Sequence, residues 1–314
     1  MFIGNKKNLF FFEKAIESGN VSHAYCFFGP TGVGKLTFAK MLAAKILQVA
    51  EEELYRSPNF YYFEREIDEK TGKLKKELTV SQAREIKEKI SKKSWGDKGQ
   101  VFVINEIQYL NEEAGNALLK VLEDPAQGSI ILLLADHEKN ILPTILSRCQ
   151  KVFFHPVSNL EILEELKVVG IEEDKAKIAS LLSGGLPGKA ISLAQDKEAI
   201  EAFKTEIRKW LSLLKMNFVE RLESLESILS EKDGNKTRDS LIKKMDIWLE
   251  FWRETMLFKN NKKNNRFLSE TDLASLNYDA NQISLIIDEL IKTQNFLKNN
   301  VQTRLAVEQF LLKF

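Results

Sequence analysis

AYCFFGPTGVGK, residues 24–35, is the stretch that decides the fold. Its first five residues are apolar and stop at Gly29, which is typical of a buried strand. The rest fits G-x-x-x-x-G-K, a loop whose backbone N–H groups surround phosphate oxygens while its lysine reaches the terminal phosphates. Phe38, Leu42 and Ile46 then recur every four residues, as in a helix. We therefore predict a P-loop fold with a nucleotide site at Gly29, Thr31, Gly32, Val33, Gly34, Lys35, Leu36 and Thr37.

The segments up to residue 156 alternate between strand and helix patterns. Residues 101–104 and 130–134 are further apolar runs, and Thr79-x-x-Gln82 has the form of a capping box that opens a helix. Asn111 is a candidate cap for another helix, which should stop at Asp124-Pro125. Strands that are apolar throughout and separated by helices predict a parallel sheet covered on both faces.

The pattern changes after Pro156 to helices alone. Ser158-x-x-Glu161 is another capping box, and a glycine-rich break at residues 184–188 interrupts a short helical segment. We therefore predict an α/β plus all-α chain with three domains, at residues 1–156, 157–197 and 198–314. The predicted core residues of the last domain are Trp210, Leu214, Trp248, Trp252, Leu285 and Leu290.

The composition limits the classes of function. The formal net charge of +1 demands neither nucleic acid nor a membrane as partner. Cys26 and Cys149 are the only two cysteines, neither has a metal-ligand neighbour at useful spacing, and the three histidines are scattered, so we predict neither disulfides nor a metal site. No apolar run is long enough to span a bilayer. These features predict a cytoplasmic protein without a membrane partner.

The phosphate-loop motif lacks the residues that hold magnesium. Leu36 stands where the motif requires serine or threonine, and the hydroxyl of Thr37 is rotated about 100° around the helix. Asn105 follows the strand at residues 101–104, where an aspartate should hold the second magnesium contact. Glu106 stands where P-loop ATPases place the carboxylate that activates water. An ordinary residue in a charged loop explains it equally well. We predict inefficient ATP hydrolysis. Whether the loop binds nucleotide weakly stays an open question at this point.

Further segments carry a family resemblance: His23-Ala24-Tyr25 before the loop, NALLKVLEDP at 116–125 and LPTILSRCQ at 142–150. With residues 299–312, these segments resemble bacterial clamp-loader ATPases. The resemblance implies an AAA+ P-loop domain with a parallel sheet, a small helical lid domain and a helical carboxy-terminal collar domain. Many members also carry a four-cysteine zinc module, whereas residues 48–100 of this chain contain no cysteine.

The resemblance also implies roles for residues. The arginine of the Ser-Arg-Cys motif, here Arg148, is an arginine finger in that family and reaches phosphates bound by a neighbouring subunit. Motor subunits carry a lid arginine where this chain has Gly188, followed by Lys189. These departures from the motor subunits resemble the delta-prime type of subunit. The resemblance implies that Arg148 acts in catalysis at the site of a neighbouring subunit and that Glu106 is a vestigial catalytic residue. Such a chain requires no cofactor itself, whereas its neighbours use ATP and magnesium.

The implied partners are the motor (gamma/tau) and delta subunits, together with the sliding clamp and primer-template DNA met through the assembly. One lysine cluster at residues 70–76 and 87–93 and a second cluster at 259–266 are candidate DNA contacts, but a solvated surface balanced by glutamates is the favoured explanation. Two alternatives stay open. One is an active motor-type clamp-loader ATPase with unusual metal ligation, and the other is a P-loop kinase or an unrelated AAA+ regulator.

Overall fold

The computed structural model describes residues 1–68, 74–78, 82, 85–86, 88–89, 99–110, 112–229, 234–260, 278–299 and 301–313. The chain divides into two compact units. The first contains Met1–Ile162 and Gly185–Lys189, and the second contains Leu163–Gly184 and Ala190–Phe314. The predicted domain boundaries at residues 156 and 197 stay predictions.

The first unit is built on a five-stranded sheet in the order β2-β3-β4-β1-β5. All of its pairings are parallel. Every residue of β1 and β3 is buried, as expected for parallel strands covered on both faces. The predicted α/β class with a parallel sheet is confirmed. The strands are β1 (Ala24–Phe28), β2 (Phe60–Phe63), β3 (Gln100–Ile104), β4 (Ser129–Ala135) and β5 (Gln150–Phe153).

Four helices of this unit are α1 (Lys6–Glu17), α2 (Lys35–Leu47), α3 (Glu112–Glu123) and α4 (Pro143–Leu146). The helix predicted after the glycine loop is α2. The stop predicted at Asp124-Pro125 is confirmed, because α3 ends at Glu123. The predicted cap Asn111 and the helix opening at Thr79 lie outside the described residues.

Alternate residues of the central strands supply the two faces of the core. Tyr25 and Phe27 pack in one cluster with Phe12 of α1 and Phe38 of α2. Cys26 and its neighbours on the opposite face pack in a second cluster with α3. Because β1 is fixed from both sides, the loop that follows it starts from a rigid position.

The remaining helices are α5 (Asn159–Val168), α6 (Glu173–Leu182), α7 (Pro187–Gln195), α8 (Lys197–Lys215), α9 (Phe218–Leu229), α10 (Gly234–Lys259), α11 (Ala280–Lys298) and α12 (Thr303–Leu311). The cap predicted before α5 is confirmed, because the Ser158 hydroxyl accepts a hydrogen bond from the Glu161 N–H at 3.2 Å. Within the described residues after 156, the regular elements are helices, as predicted.

Three aromatic rings form the centre of the core of the second unit. Trp210 of α8 stacks on Trp248 of α10 with ring centroids 4.1 Å apart, and Phe310 of α12 lies nearly parallel to both. The predicted core residues Trp252 and Leu290 are also buried, and Leu214 is partly buried against this core.

The prediction for Leu285 is wrong, because its side chain is 65% exposed. The buried stripe of α11 runs through Ile283, Ile286 and Leu290, which recur at helical spacing. Leu285 is two residues from Ile283, a rotation of about 200°, and therefore lies on the opposite side of the helix.

Candidate functional site

The phosphate loop, which we define as residues 29–35, connects the end of β1 to the start of α2. Three of its glycines have positive φ angles, 154° at Gly29, 85° at Gly32 and 103° at Gly34, which side chains rarely tolerate. A Cβ built on Gly29 would lie 2.4 Å from the carbonyl oxygen of Phe154. The path of the backbone therefore requires the glycines of the motif.

Two other segments of the first unit lie against the phosphate loop. The N–H of Gly188, at the start of α7, donates a hydrogen bond to the carbonyl oxygen of Gly32 at 2.9 Å. A Cβ built on Gly34 would meet the ring of Phe2 at 3.2 Å. At the position aligned with the lid arginine, this chain thus contacts the loop through a backbone N–H.

Lys35 is turned onto groups of its own chain. Its ammonium donates to the carbonyl oxygens of Gly29 and Pro30 and lies 3.1 Å from Oδ1 of Asp136. The residue is only 8% exposed. Burial lowers the pKa of Lys35, whereas the hydrogen bond and the charge of Asp136 oppose that shift. The lysine of the motif already has an anionic partner.

Asp136 is a site residue that the sequence analysis missed. It directly follows β4, which pairs with β1, so its carboxylate lies at the carboxyl edge of the sheet beside the phosphate loop. Besides Lys35, it accepts hydrogen bonds from the Thr31 hydroxyl at 3.1 Å and from the Gln108 amide at 3.4 Å. The available signal was an aspartate after a buried strand, since ligands of α/β sheets bind at this edge.

The position expected to hold magnesium is apolar. Leu36 packs against the core cluster that contains Phe38 and Val33. Thr37, the next residue of α2, is partly buried. The residues at the start of α2 therefore fit a packed helix and do not fit a magnesium-bound nucleotide, whose metal needs oxygen ligands.

Asn105 and Glu106 follow β3, as predicted, but both side chains have other partners. The side chain of Asn105 forms a hydrogen bond with Tyr62, whose pKa is raised chiefly by burial. Oε2 of Glu106 accepts a hydrogen bond from Nε of Arg65 at 2.8 Å. Glu106 therefore already has a cationic partner from its own chain.

Arg65 is a second residue that the sequence analysis missed. Its guanidinium lies 3.7 Å from the centre of the Tyr109 ring, and its pKa is raised chiefly by the hydrogen bond to Glu106. Glu106 itself has a left-handed backbone with φ of 56°. Sequence gives no strong signal for Arg65, because it lies in a loop distant along the chain from Glu106.

Arg148, the predicted finger, lies between α4 and β5. Nη2 is 2.6 Å from Oε1 of Glu123, and Nη1 donates to the carbonyl oxygen of Thr144 at 2.9 Å. About a third of the side chain is exposed, against about half of the Glu123 side chain. These contacts lie at the carboxyl end of α3, and an exposed ion pair of this kind is easily exchanged for another anion.

Cys26 is buried and Cys149 is partly buried, and both should react slowly. Burial raises the pKa of Cys149 to about 12 and also raises that of Cys26. At about pH 8 the thiolate fraction of Cys149 is then roughly 1,000-fold below that of an ordinary thiol. We expect iodoacetamide to label both residues at least about 100-fold more slowly in the native chain than in urea, measured by mass spectrometry. Equal labelling rates in the native and the urea-unfolded chain would contradict the raised pKa of Cys149.

Other candidate sites are sparse in the described ranges. No group of three or more His, Cys, Asp or Glu side chains there could hold a metal ion. No helix within those ranges is long and apolar enough to cross a membrane. Lys75 and Lys89, from one predicted basic cluster, form ion pairs with Glu66 and Glu85. Members of the clusters outside the described residues are Lys70, Lys73, Lys87, Lys92, Lys93, Lys262, Lys263 and Arg266.

Residues 4–158, which contain the phosphate loop and Arg148, match the family model described as DNA polymerase III, delta subunit. This part of the chain, just under half of its length, is similar to the DNA polymerase III delta subunit family. The predicted resemblance to delta-prime-type clamp-loader subunits is confirmed. Members of the wider DNA polymerase III clamp-loader family also align, including gamma/tau chains.

The relatives are similar at modest identity. The chain is 25% identical to the DNA polymerase III delta-prime subunit of Bacillus subtilis, over 60% of this chain and 58% of that one. It is 29% identical to the delta-prime subunit of Haemophilus influenzae, over 58% of each chain. It is also 29% identical to the gamma/tau subunit of Mycoplasma pneumoniae, over 55% of this chain and 27% of that one. The matches span less than two thirds of these relatives.

Solved structures align with this chain at low identity and low TM-score. A DNA polymerase III gamma subunit-related protein of Thermotoga maritima is 16% identical, with a TM-score of 0.42 over 96% of this chain and 97% of that one. The RuvB Holliday junction branch migration motor of the same organism is 20% identical, with a TM-score of 0.45 over 94% and 89%.

Proposed function

We propose that this chain is a delta-prime-type clamp-loader subunit that does not hydrolyse ATP and donates Arg148 to the ATP site of a neighbouring subunit. The observation that carries the proposal is the pairing of its own catalytic candidates. Lys35 is paired with Asp136, and Glu106 is paired with Arg65. Together with Leu36, which packs partly buried against the core, these pairs leave the phosphate loop without the charges that hydrolysis requires.

The contacts of Arg148 support its role as a donated group. The guanidinium is partly exposed at the carboxyl end of α3, and its carboxylate partner Glu123 is exposed as well. Exposed ion pairs contribute only about 0–1 kcal/mol, so phosphate oxygens of a neighbour can replace Glu123 at little cost. A guanidinium then offers paired N–H donors to the phosphoryl charge that develops in the transition state.

The partners follow from this role. We expect the chain to assemble with gamma/tau-type motor subunits and a delta subunit in the cytoplasm, and to meet the sliding clamp and primer-template DNA through that assembly. ATP and magnesium would be used by the motors, and this chain would need no cofactor of its own. The family match and the similarity to delta-prime and gamma/tau chains support these partners.

The rival function is a motor-type ATPase. The glycine conformations of the phosphate loop and the similarity to gamma/tau chains favour it. If the rival is correct, removal of Lys35 should abolish the contribution of this chain to ATP turnover. If the proposed function is correct, Lys35 has only a local structural role.

We expect a loader reconstituted with Lys35→Met/Asp136→Asn to keep its DNA- and clamp-stimulated ATPase rate within about twofold of the wild-type loader. The double substitution removes both charges of one ion pair, so no charge is left buried alone. Size-exclusion chromatography should show an intact assembly. A fall of more than about tenfold in an intact assembly would identify Lys35 as part of a working ATP site and favour the motor.

A further inference from the structure

Asp136 lies among the donors that a phosphate would use. Its Oδ1 is 3.1 Å from both the Lys35 ammonium and the Thr31 hydroxyl, and its Oδ2 is 3.4 Å from the Gln108 amide nitrogen. The lysine at the end of a phosphate loop is a typical ligand of a nucleotide phosphate, and Thr31 is a hydroxyl donor of the loop itself. In this chain a carboxylate from the end of β4 takes both of them.

The ion pair satisfies a strong requirement of Lys35. The residue is 8% exposed, and a buried ammonium needs an anionic partner. The Asp136 side chain is 33% exposed, so one side of the carboxylate reaches solvent while the other faces Lys35. The two formal charges cancel, which leaves the phosphate loop with no net positive charge from its lysine.

We infer that Asp136 is an internal anion that replaces phosphate as the partner of Lys35, so that the phosphate loop is a closed structural clasp and selects against phosphate ligands. The inference goes beyond the proposed function, because it concerns the free chain and holds whether or not Arg148 is a finger.

The surroundings of the loop support a clasp. The Gly188 N–H bonds the Gly32 carbonyl oxygen, and Phe2 lies against Gly34. The ion pair joins the loop after β1 to the end of β4, the neighbouring strand. An added phosphate would also approach the Asp136 carboxylate within a few ångströms, where like charges repel.

Thermal unfolding of the full chain in sodium phosphate tests this inference, with sodium chloride of equal ionic strength as the reference. Asp136→Asn should keep the fold, because its amide oxygen can still accept hydrogen bonds from Lys35 and Thr31. This variant leaves Lys35 without an anion. We expect phosphate at about ten times its Kd to raise the Tm of Asp136→Asn by about 4 °C.

The wild-type chain and Lys35→Met/Asp136→Asn are matched controls, because one has the internal anion and the other has no lysine to pair. Both should show only the small general effect of phosphate on folded proteins. The inference is overturned if Asp136→Asn responds no more than the wild-type chain, or if the double variant responds as strongly as Asp136→Asn.

A second measurement uses Mg-ATP and isothermal titration calorimetry on the same chains. We expect Asp136→Asn to bind Mg-ATP at least about tenfold more tightly than the wild-type chain, since the repulsive carboxylate is gone. Equal affinities would overturn selection against phosphate. The loader ATPase assay tests the proposed function separately, so the two can fail independently.

Discussion

A loader assembled with Arg148→Ala is expected to hydrolyse ATP about 1,000-fold more slowly at the site that Arg148 serves, because a finger arginine contributes 10³–10⁵ in rate. Sites served by other fingers keep their rates unless the subunits are coupled. In single-turnover measurements, the kinetic phase of ATP hydrolysis at that site should therefore disappear. The steady-state ATPase rate should fall to the rate that the remaining sites contribute. Arg148→Lys should recover little, because an ammonium lacks the planar fork of donors.

Glu123→Gln is the matched control for the finger. It removes the charge that holds Arg148 at 2.6 Å but leaves the arginine in place. Since an exposed ion pair contributes about 0–1 kcal/mol, we expect the single-turnover rate to stay within about fivefold of the wild-type rate and not to fall as with Arg148→Ala. An intact assembly with Arg148→Ala that retains every phase at its wild-type rate would refute the finger role.

Trp248→Ala is expected to lower the free energy of unfolding by about 3–5 kcal/mol, the largest stability effect among our predictions. The side chain is 2% exposed and stacks on Trp210, so its loss leaves a cavity and removes an aromatic contact. We expect the Tm to be about 10 °C lower. Far-ultraviolet circular dichroism during thermal and urea unfolding measures both changes.

Leu285→Ala is the control for this prediction. The side chain is 65% exposed on α11, so its truncation should change the free energy of unfolding by no more than about 0.5 kcal/mol. The comparison also tests the corrected assignment of the helix face. If Leu285→Ala lowered the free energy of unfolding as much as Trp248→Ala, the assignment of the buried face of α11 would be wrong.

The fold could be predicted from sequence where a local pattern of residues is typical of a single structure. The apolar run of β1, the glycines after it and the apolar spacing of α2 together predicted a strand, loop and helix. The Leu285 error shows where this reasoning fails. In α11 apolar residues occur on more than one side, and only tertiary packing decides that Ile283, Ile286 and Leu290 are buried.

The candidate site was accessible only in part. The absence of magnesium ligands at Leu36 and Asn105 could be seen directly in the motif. The pairing of Lys35 with Asp136 and of Glu106 with Arg65 could not be seen, because each partner is far along the chain from the group it pairs with. Strand order brings Asp136 beside the phosphate loop, and no local pattern encodes that order. Ion pairs between residues that are distant along the chain therefore decide whether the charged groups of a recognisable motif are available to a ligand.

The packing of Leu36 makes the loss of the magnesium ligand difficult to reverse in a single step. Leu36 is partly buried against the apolar cluster under α2, so a serine there would exchange apolar contact for a hydroxyl, at a cost of about 1 kcal/mol. That cost falls on the folded chain before any metal is bound, and Asn105 would still lack a charge. Under the proposed function, a return to ATP hydrolysis would therefore require the packing at position 36 and the charge at position 105 to change together, which disfavours reversal by single substitutions.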